Sequence, residues 1–358
     1  MKKRLHQTDD RPWFVFQWHL TDECDQRCRH CYIYGENAGK KPDTMDWETM
    51  RAVLAACEDF CGDLNHRLQF CLTGGDPLLH PDFWKLAALL KKKKIPFSIL
   101  GNPFHLDLKT CQRLKKLGCT RYQLSIDGLE ETHDWVRKPG SYRETLEKIG
   151  VLNQAGLESA VMTTVSGRNA DEIPGVIDAM VEAKVRHFAF SRYCPSAAEE
   201  GNGLTPERYR QLLADCAKKI RACLDAGCST TFGKKDHLWT LYDYERGRFT
   251  PPEGAEEGVI YAGCHCGQTH LTILPDGEVY ACRRVAGSRV GRLPEDRLMD
   301  IWLGPMNEYR RLDRFEKCRD CELLRWCRGC PAVASAGKGD FYAADPQCWK
   351  GAEKRRPE

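Results

Sequence analysis

The sequence predicts an α/β protein on a parallel sheet, followed by a small cysteine-rich region. Three observations carry this. Six strand-like apolar runs alternate with amphipathic helical runs over residues 1–226. The helical runs are punctuated by Pro at their starts and Gly past their ends. Eight of the 20 cysteines then crowd the last hundred residues, where long periodic segments disappear.

Taken in order, Phe14–Leu20 reads as the first strand and Asp46–Phe60 as a helix. Arg67–Thr73 is a strand, and Pro81–Lys94 a helix opening on a favourable Pro. Phe97–Gly101 is a strand, and Leu108–Leu117 a helix stopped by Gly118. Arg121–Ile126 is a strand, then Tyr142–Ala155 a helix stopped by Gly156. Ser159–Val165 and Val185–Ser191 are strands flanking a helix at Asp171–Ala183, and Pro206–Ala226 is a long amphipathic helix before Gly227. Six βα units in a row imply right-handed crossovers. Periodicity does not distinguish an open sheet from a partial barrel; in both, function sits at the C-terminal strand ends. Residues 227–260 read as a bridge, 261–350 as the cysteine-rich domain and 351–358 as a charged tail. A segment so short and so poor in periodic runs is expected to bury little core and to need metal staples.

Composition narrows the function. With 54 basic against 51 acidic side chains, the net charge of +3 over 358 residues argues against a nucleic-acid backbone binder. No run approaches the ~20 apolar residues of a membrane span, and the best N-terminal candidate, Trp13 to Leu20, has no small-residue cleavage site. A cytoplasmic protein with no membrane partner is expected. In a reducing compartment, clustered cysteines hold metal or do redox chemistry, whereas scattered ones pack as small apolar side chains.

Cys24-x3-Cys28-x2-Cys31 follows the first strand directly. Three thiolates satisfy three irons of a 4Fe–4S cubane and leave the fourth open. Zinc with a remote fourth ligand is the alternative on spacing alone. This motif resembles the signature of the radical S-adenosylmethionine (SAM) enzymes, with His30 at the position before the third cysteine that is usually aromatic. Further motifs agree, each after a successive strand. Leu72-Thr73-Gly74-Gly75-Asp76-Pro77 resembles the family's Gly-Gly-Glu-Pro turn, with Asp in place of Glu. Gly101-Asn102-Pro103 resembles its Thr-Asn-Gly turn. Ser125-Ile126-Asp127-Gly128, with His133, Asp134 and Arg137, is similar to its ribose and carboxylate contacts. The resemblance covers residues 14–200 and implies a partial (β/α)6 barrel of the radical SAM type. It also implies reductive cleavage of SAM to a 5′-deoxyadenosyl radical, with an electron donor such as flavodoxin or ferredoxin. It makes His30, Gly74, Gly75, Asp76, Asn102, Ser125, Asp127 and Arg137 the candidate cofactor contacts; the residues that act on substrate stay unassigned.

In the tail, Cys264 and Cys266 precede an apolar hairpin turned by Pro275-Asp276-Gly277 and ending at Cys282. Cys318-x2-Cys321-x5-Cys327-x2-Cys330 and Cys348 follow. Eight thiolates fit two closed four-thiolate sites, of iron–sulfur or of zinc. The order resembles the SPASM extension of radical SAM enzymes, in which the last two cysteines of the run are three rather than two apart. That resemblance implies one auxiliary 4Fe–4S cluster on Cys264, Cys266, Cys282 and Cys330, another on Cys318, Cys321, Cys327 and Cys348, and three clusters in all. Cys264 and Cys266 are unusually close for ligands of one cluster.

The resemblance leads to maturation of a ribosomal peptide by thioether or carbon–carbon bond formation or related oxidation. Only 23 residues precede Cys24, so a peptide substrate is expected to need a separate leader-binding protein or recognition by the tail; Arg283, Arg284, Arg289 and Arg292 could meet an acidic leader or be plain solvated surface. Sulfatase-maturing relatives carry Asp after the hairpin cysteine, where this chain has Arg283-Arg284. Oxidation of a haem precursor is the second reading, and a non-catalytic zinc scaffold the third. Cys194, after the sixth strand, is either a structural thiol or a hydrogen-atom donor or binder on the substrate side.

Overall fold

The computed structural model describes residues 9–36, 41–195, 201–256, 258–285 and 287–351. The charged tail from residue 352 lies outside them. Strands β1 (Trp13–Thr21), β2 (Arg67–Gly74), β3 (Phe97–Leu100), β4 (Cys119–Ser125), β5 (Glu158–Val165), β6 (His187–Arg192) and β7 (Thr231–Gly233) lie side by side in chain order, every pair parallel. Strands β8 (His270–Ile273), β9 (Glu278–Tyr280) and β10 (Arg289–Arg292) continue the same sheet beyond β1. Strand β8 runs parallel to β1 with Val15 opposite His270, and β9 and β10 fold back antiparallel. Beyond the end of β7, the Lys235 ammonium lies close enough to influence both Cys71 on β2 and His270 on β8. The β7 margin of the ten-stranded sheet therefore curls back toward β8 and β2, as in a partial barrel.

Period two assigns the faces. Phe14, Phe16, Trp18 and Leu20 on β1 are fully buried with Phe70 and Leu72 of β2, beneath helices such as Trp47–Asp63 and Phe83–Lys93. The alternate side chains, among them Gln17, Gln123, Ser125, Thr164 and Ser191, leave the concave face polar. Local signals place the helix starts: Asp46, Asp107 and Thr205 each accept from a backbone N–H of the first turn.

Two expectations need correction. The bridge is not a passive linker: it supplies β7 and the helix Leu238–Glu245, whose side chains Leu238, Trp239 and Leu241 are buried. Nor is the tail starved of core. Leu271, Ile273, Val279, Leu298, Ile301 and Trp302 are buried in the same apolar core as β1, and the Trp302 ring meets Phe14 and Phe60 edge-on at 5.2 and 5.7 Å. The tail contributes strands to an existing sheet rather than building its own.

One polar network joins the two ends. Arg192, the last residue of β6, is buried and donates from Nε to Asp236 at 2.9 Å. Its Nη1 and Nη2 donate to the two Asp345 oxygens at 2.6 and 2.8 Å, and Nη1 also reaches Gln347 Oε1 at 2.9 Å. Gln347 in turn bonds Asn202 and the Leu204 carbonyl. Burial opposes charge on these groups, but the facing guanidinium holds Asp236 below the usual carboxylate range.

Replacing Arg192 by Met leaves two buried carboxylates with no counter-charge. Such losses cost about 3–5 kcal/mol, read as a lower midpoint in anaerobic urea unfolding. Arg192→Lys should recover only part, because an ammonium cannot face two carboxylates at once. A loss below about 1 kcal/mol for the Met variant would show that water or rearrangement satisfies the site.

Candidate active site

The three N-terminal cysteines sit on a loop that leaves β1 and is pinned from two sides. Thr21 Oγ1 bonds Thr44 Oγ1 at 2.7 Å and accepts from Glu23 N at 3.0 Å. Gly75 N donates to Thr21 O, and Asp76 N to Glu23 O, both at 2.8 Å. Only glycine allows this approach: a Cβ at Gly75 would lie 2.1 Å from Glu23 O, and one at Gly74, where φ is 129°, 2.1 Å from Thr21 O. The end of β2 thus acts as a floor for the cysteine loop.

Cys24, Cys28 and Cys31 are half-buried, unpaired thiols around one cavity of about 330 Å3. Gly74, Gly75, Asn102, Ser125, Arg137 and Cys194 are among its other walls. Cys24 Sγ accepts from Gln26 N at 3.4 Å and Asn102 Nδ2 at 3.2 Å, and Arg137 Nη1 lies 3.7 Å from Cys28 Sγ. Burial pushes the Cys24 thiol up to about 11, so a thiolate there needs a cation to bind. Three convergent thiols with donors aimed at two of them suit a metal cluster bound by three protein ligands.

The other sequence candidates divide by role. Asp76 is fully buried and turned into the fold: Oδ1 accepts from Leu78 N at 2.9 Å, Oδ2 from Asn102 N at 3.3 Å. Burial raises its carboxyl to about 6. The cavity is faced here by the glycines, with Asp76 holding their turn. Asn102 spans the loop by donating also to Asp25 Oδ1 at 2.7 Å. Asp127 is buried; its Oδ2 accepts from Arg137 Nε at 2.6 Å and its Oδ1 from Thr164 N at 2.8 Å. Burial raises the Asp127 carboxyl, but Arg137 and His30 outweigh it and hold it below its ordinary range. His133, lowered to about 4 by burial, accepts from Asp127 N at Nδ1 and is 2.7 Å from Ser141 Oγ at Nε2. It positions Asp127 and does not face the cavity.

His30 lies 3.7 Å from Asp127 Oδ2, where the cavity meets a second one of about 510 Å3. The second cavity is lined by Arg29, Trp135, Thr164, Arg168 and Asn202 among others. Trp135 is 43 % exposed, with the Arg168 guanidinium 3.3 Å and that of Arg29 4.4 Å from its ring centre. Arg283 and Arg284 fold over the Tyr32 ring at 4.7 and 4.5 Å, while Arg289 and Arg292 pair with Glu278 and Asp276. Gln26, Arg192 and Asp345 were not singled out from sequence; a Gln between two clustered cysteines was the one available hint.

Near the tail, the thiol of Cys264 neighbours those of Cys266, Cys282 and Cys330. A second group joins Cys318, Cys321, Cys327 and Cys348. The Pro-Asp-Gly turn forms as expected, with Gly277 at φ 87° and Asp276 Oδ1 accepting from Glu278 N at 3.0 Å. All 20 cysteines are free.

Residues 18–180 match the Radical SAM superfamily, and residues 264–331 match SPASM, an iron-sulfur cluster-binding domain. The AdoMet-dependent heme synthase of Methanosarcina barkeri is 26% identical over 93% of this chain and 95% of its own length. The mycofactocin maturase MftC of Mycobacterium ulcerans is 25% identical over 93% and 87%. Among solved structures, Streptococcus suis SuiB bound to S-adenosylmethionine has the same fold, with a TM-score of 0.73 at 19% identity over 94% of this chain and 77% of that one. The tail match favours iron–sulfur over zinc, and two enzyme relatives spanning the chain leave no place for an inert scaffold. The chain is a radical SAM enzyme carrying a SPASM domain.

Proposed function

We propose that this enzyme abstracts hydrogen from a ribosomally made peptide and oxidises it to a cross-linked or related product. Cys24, Cys28 and Cys31 hold the core 4Fe–4S cluster, and the two tail thiol groups hold one auxiliary cluster each. When bound, the core cluster supplies the electron that cleaves SAM to a 5′-deoxyadenosyl radical. The chain's own residues prepare that step. Asn102 and the Gln26 amide donate to the Cys24 sulfur, and Arg137 lies beside the Cys28 sulfur, each favouring the thiolate. Asp127 and Thr164 hold Arg137 and the rim of the cavity, and Gly74 and Gly75 expose main chain where a side chain would block a ligand. An external flavodoxin or ferredoxin supplies the electron, and the 20 free thiols fit a reducing cytoplasm.

The second cavity carries the peptide reading. It continues from His30 past the exposed Trp135 and the arginines stacked on it, a surface suited to an extended acidic chain. MftC, a maturase, supports the same reading. A separate leader-binding protein would deliver the peptide. The heme synthase likeness over 93% of the chain favours a tetrapyrrole as the second reading, and its carboxylates would meet the same arginines.

With reductant and SAM, the anaerobic enzyme should form 5′-deoxyadenosine faster when its peptide substrate is added, and the peptide should lose ~2 Da per cross-link by mass spectrometry. Consumption of iron-coproporphyrin, with cysteine-rich or acidic test peptides left unchanged, would establish the tetrapyrrole reading instead. Iron content gives an independent check. The reconstituted chain should hold ~12 irons, and Gly75→Ala, by displacing Glu23 and the cysteine loop, should leave ~8 in the tail. A full complement in that variant would show that the loop does not need the close turn.

A further inference from the structure

Cys194 differs from the other scattered cysteines. Cys57, Cys61, Cys111, Cys119 and Cys216 are buried in the apolar core. Cys194 follows β6, borders the cavity shared with Cys24, Cys28 and Cys31, and has its thiol beside that of Cys330. It also neighbours Cys282. Cys330 and Cys282 both adjoin Cys264, and Cys264 and Cys282 adjoin Cys266. Five thiols thus form one connected group, where a closed cubane takes four.

The backbone carrying Cys194 is fixed from both sides. Arg284 Nη2 donates to the Cys194 carbonyl at 2.6 Å. Two residues earlier, Arg192 grips Asp345, and Asp345 Oδ2 also accepts from the Cys330 amide at 2.8 Å. One carboxylate therefore sets the position of the core strand end and of the tail cysteine together. Juxtaposition of the Cys194 and Cys330 thiols is a built feature of the fold, independent of how either thiol titrates.

We propose that Cys194, a residue of the catalytic core, is a ligand of the auxiliary cluster beside the cavity, completing its four thiolates with Cys282, Cys330 and one of the Cys264–Cys266 pair. This rests on the reading of the tail as an iron–sulfur domain. The other member of the pair then packs as an ordinary buried thiol, which relieves the crowding of two ligands only two residues apart. Ligation exchanges the Cys194 S–H bond for an S–Fe bond and releases one proton. A thiolate so committed does not donate a hydrogen atom to a substrate radical. The cluster it holds becomes part of the cavity wall, and it cannot be completed by the tail alone.

The test uses the full chain with Cys24, Cys28 and Cys31 changed to Ala, so that only tail iron is counted. This parent should hold ~8 irons and show two reduced clusters by electron paramagnetic resonance. Adding Cys194→Gly should lower the count to ~4 and remove one signal, and an added small thiol such as mercaptoethanol should restore both. At least one of Cys264→Ser and Cys266→Ser should keep ~8. Unchanged iron and spectra in Cys194→Gly would overturn the assignment. So would a loss that added thiol fails to restore, since that marks a structural role. Loss of a cluster in each of Cys264→Ser and Cys266→Ser would overturn it as well. A parent with only trace iron would refute the iron–sulfur reading of the tail itself.

Discussion

Arg192 carries a full positive charge into the interior, and everything between the catalytic core and the tail is arranged around keeping it there. Desolvating a guanidinium is expensive, and it is tolerable here because Asp236 and Asp345 face it from different segments of the chain. Asp236 stands just after β7 and Asp345 near the end of the described tail, so one side chain draws two distant stretches to the end of β6. Asp345 passes the constraint on to the Cys330 amide, and Gln347 passes it to Asn202 and Leu204. At the opposite end of the sheet, β8 pairs with β1 and Trp302 packs on Phe14. The tail is held at both margins of the barrel.

This arrangement explains why the cavities are where they are. Parallel strands deliver their C-terminal ends to one side, where loops from β1 to β6 supply the cysteines, the paired glycines, Asn102, Ser125 and Asp127. The tail closes over that side with Arg284 and the thiol group around Cys330. Buried charges face opposite partners: Arg137 meets Asp127, and Arg192 meets both Asp236 and Asp345. In the adjoining cavity Arg168 stacks on Trp135 and has no carboxylate partner among the described residues.

The sheet was legible because its strands are short apolar runs separated by Gly- and Pro-marked helices; the six expected strands overlap the observed ones, with no end shifted by more than two residues. The cysteine groups were legible from spacing. What escaped was whatever depended on distant partners. Thr231–Gly233 is too short to show a period, and becomes a strand only because β6 lies beside it. The tail read as core-poor because its apolar residues are few per segment; they are buried by joining a sheet whose first strand lies 255 residues earlier, Val15 facing His270, which no local pattern encodes. Asp76 carried the expected carboxylate, but its direction into the fold, capping the turn Pro77–Leu79, follows from the tight pairing of Gly75 with the cysteine loop. Arg192 and Asp345 gave no signal in sequence, because nothing local indicates that a residue 153 positions away will neutralise the charge.

The central claim is that core and tail form one cooperative unit. Native-state hydrogen exchange of the iron-loaded chain measures this directly, by comparing the opening free energy of β8 amides at 270–273 with that of β1 amides at 13–21. The account predicts that both strands exchange through the same global unfolding, at equal free energy and with equal dependence on urea. Exchange of β8 through a separate opening, several kcal/mol cheaper than that of β1, would contradict it and show a tail that docks and undocks on its own.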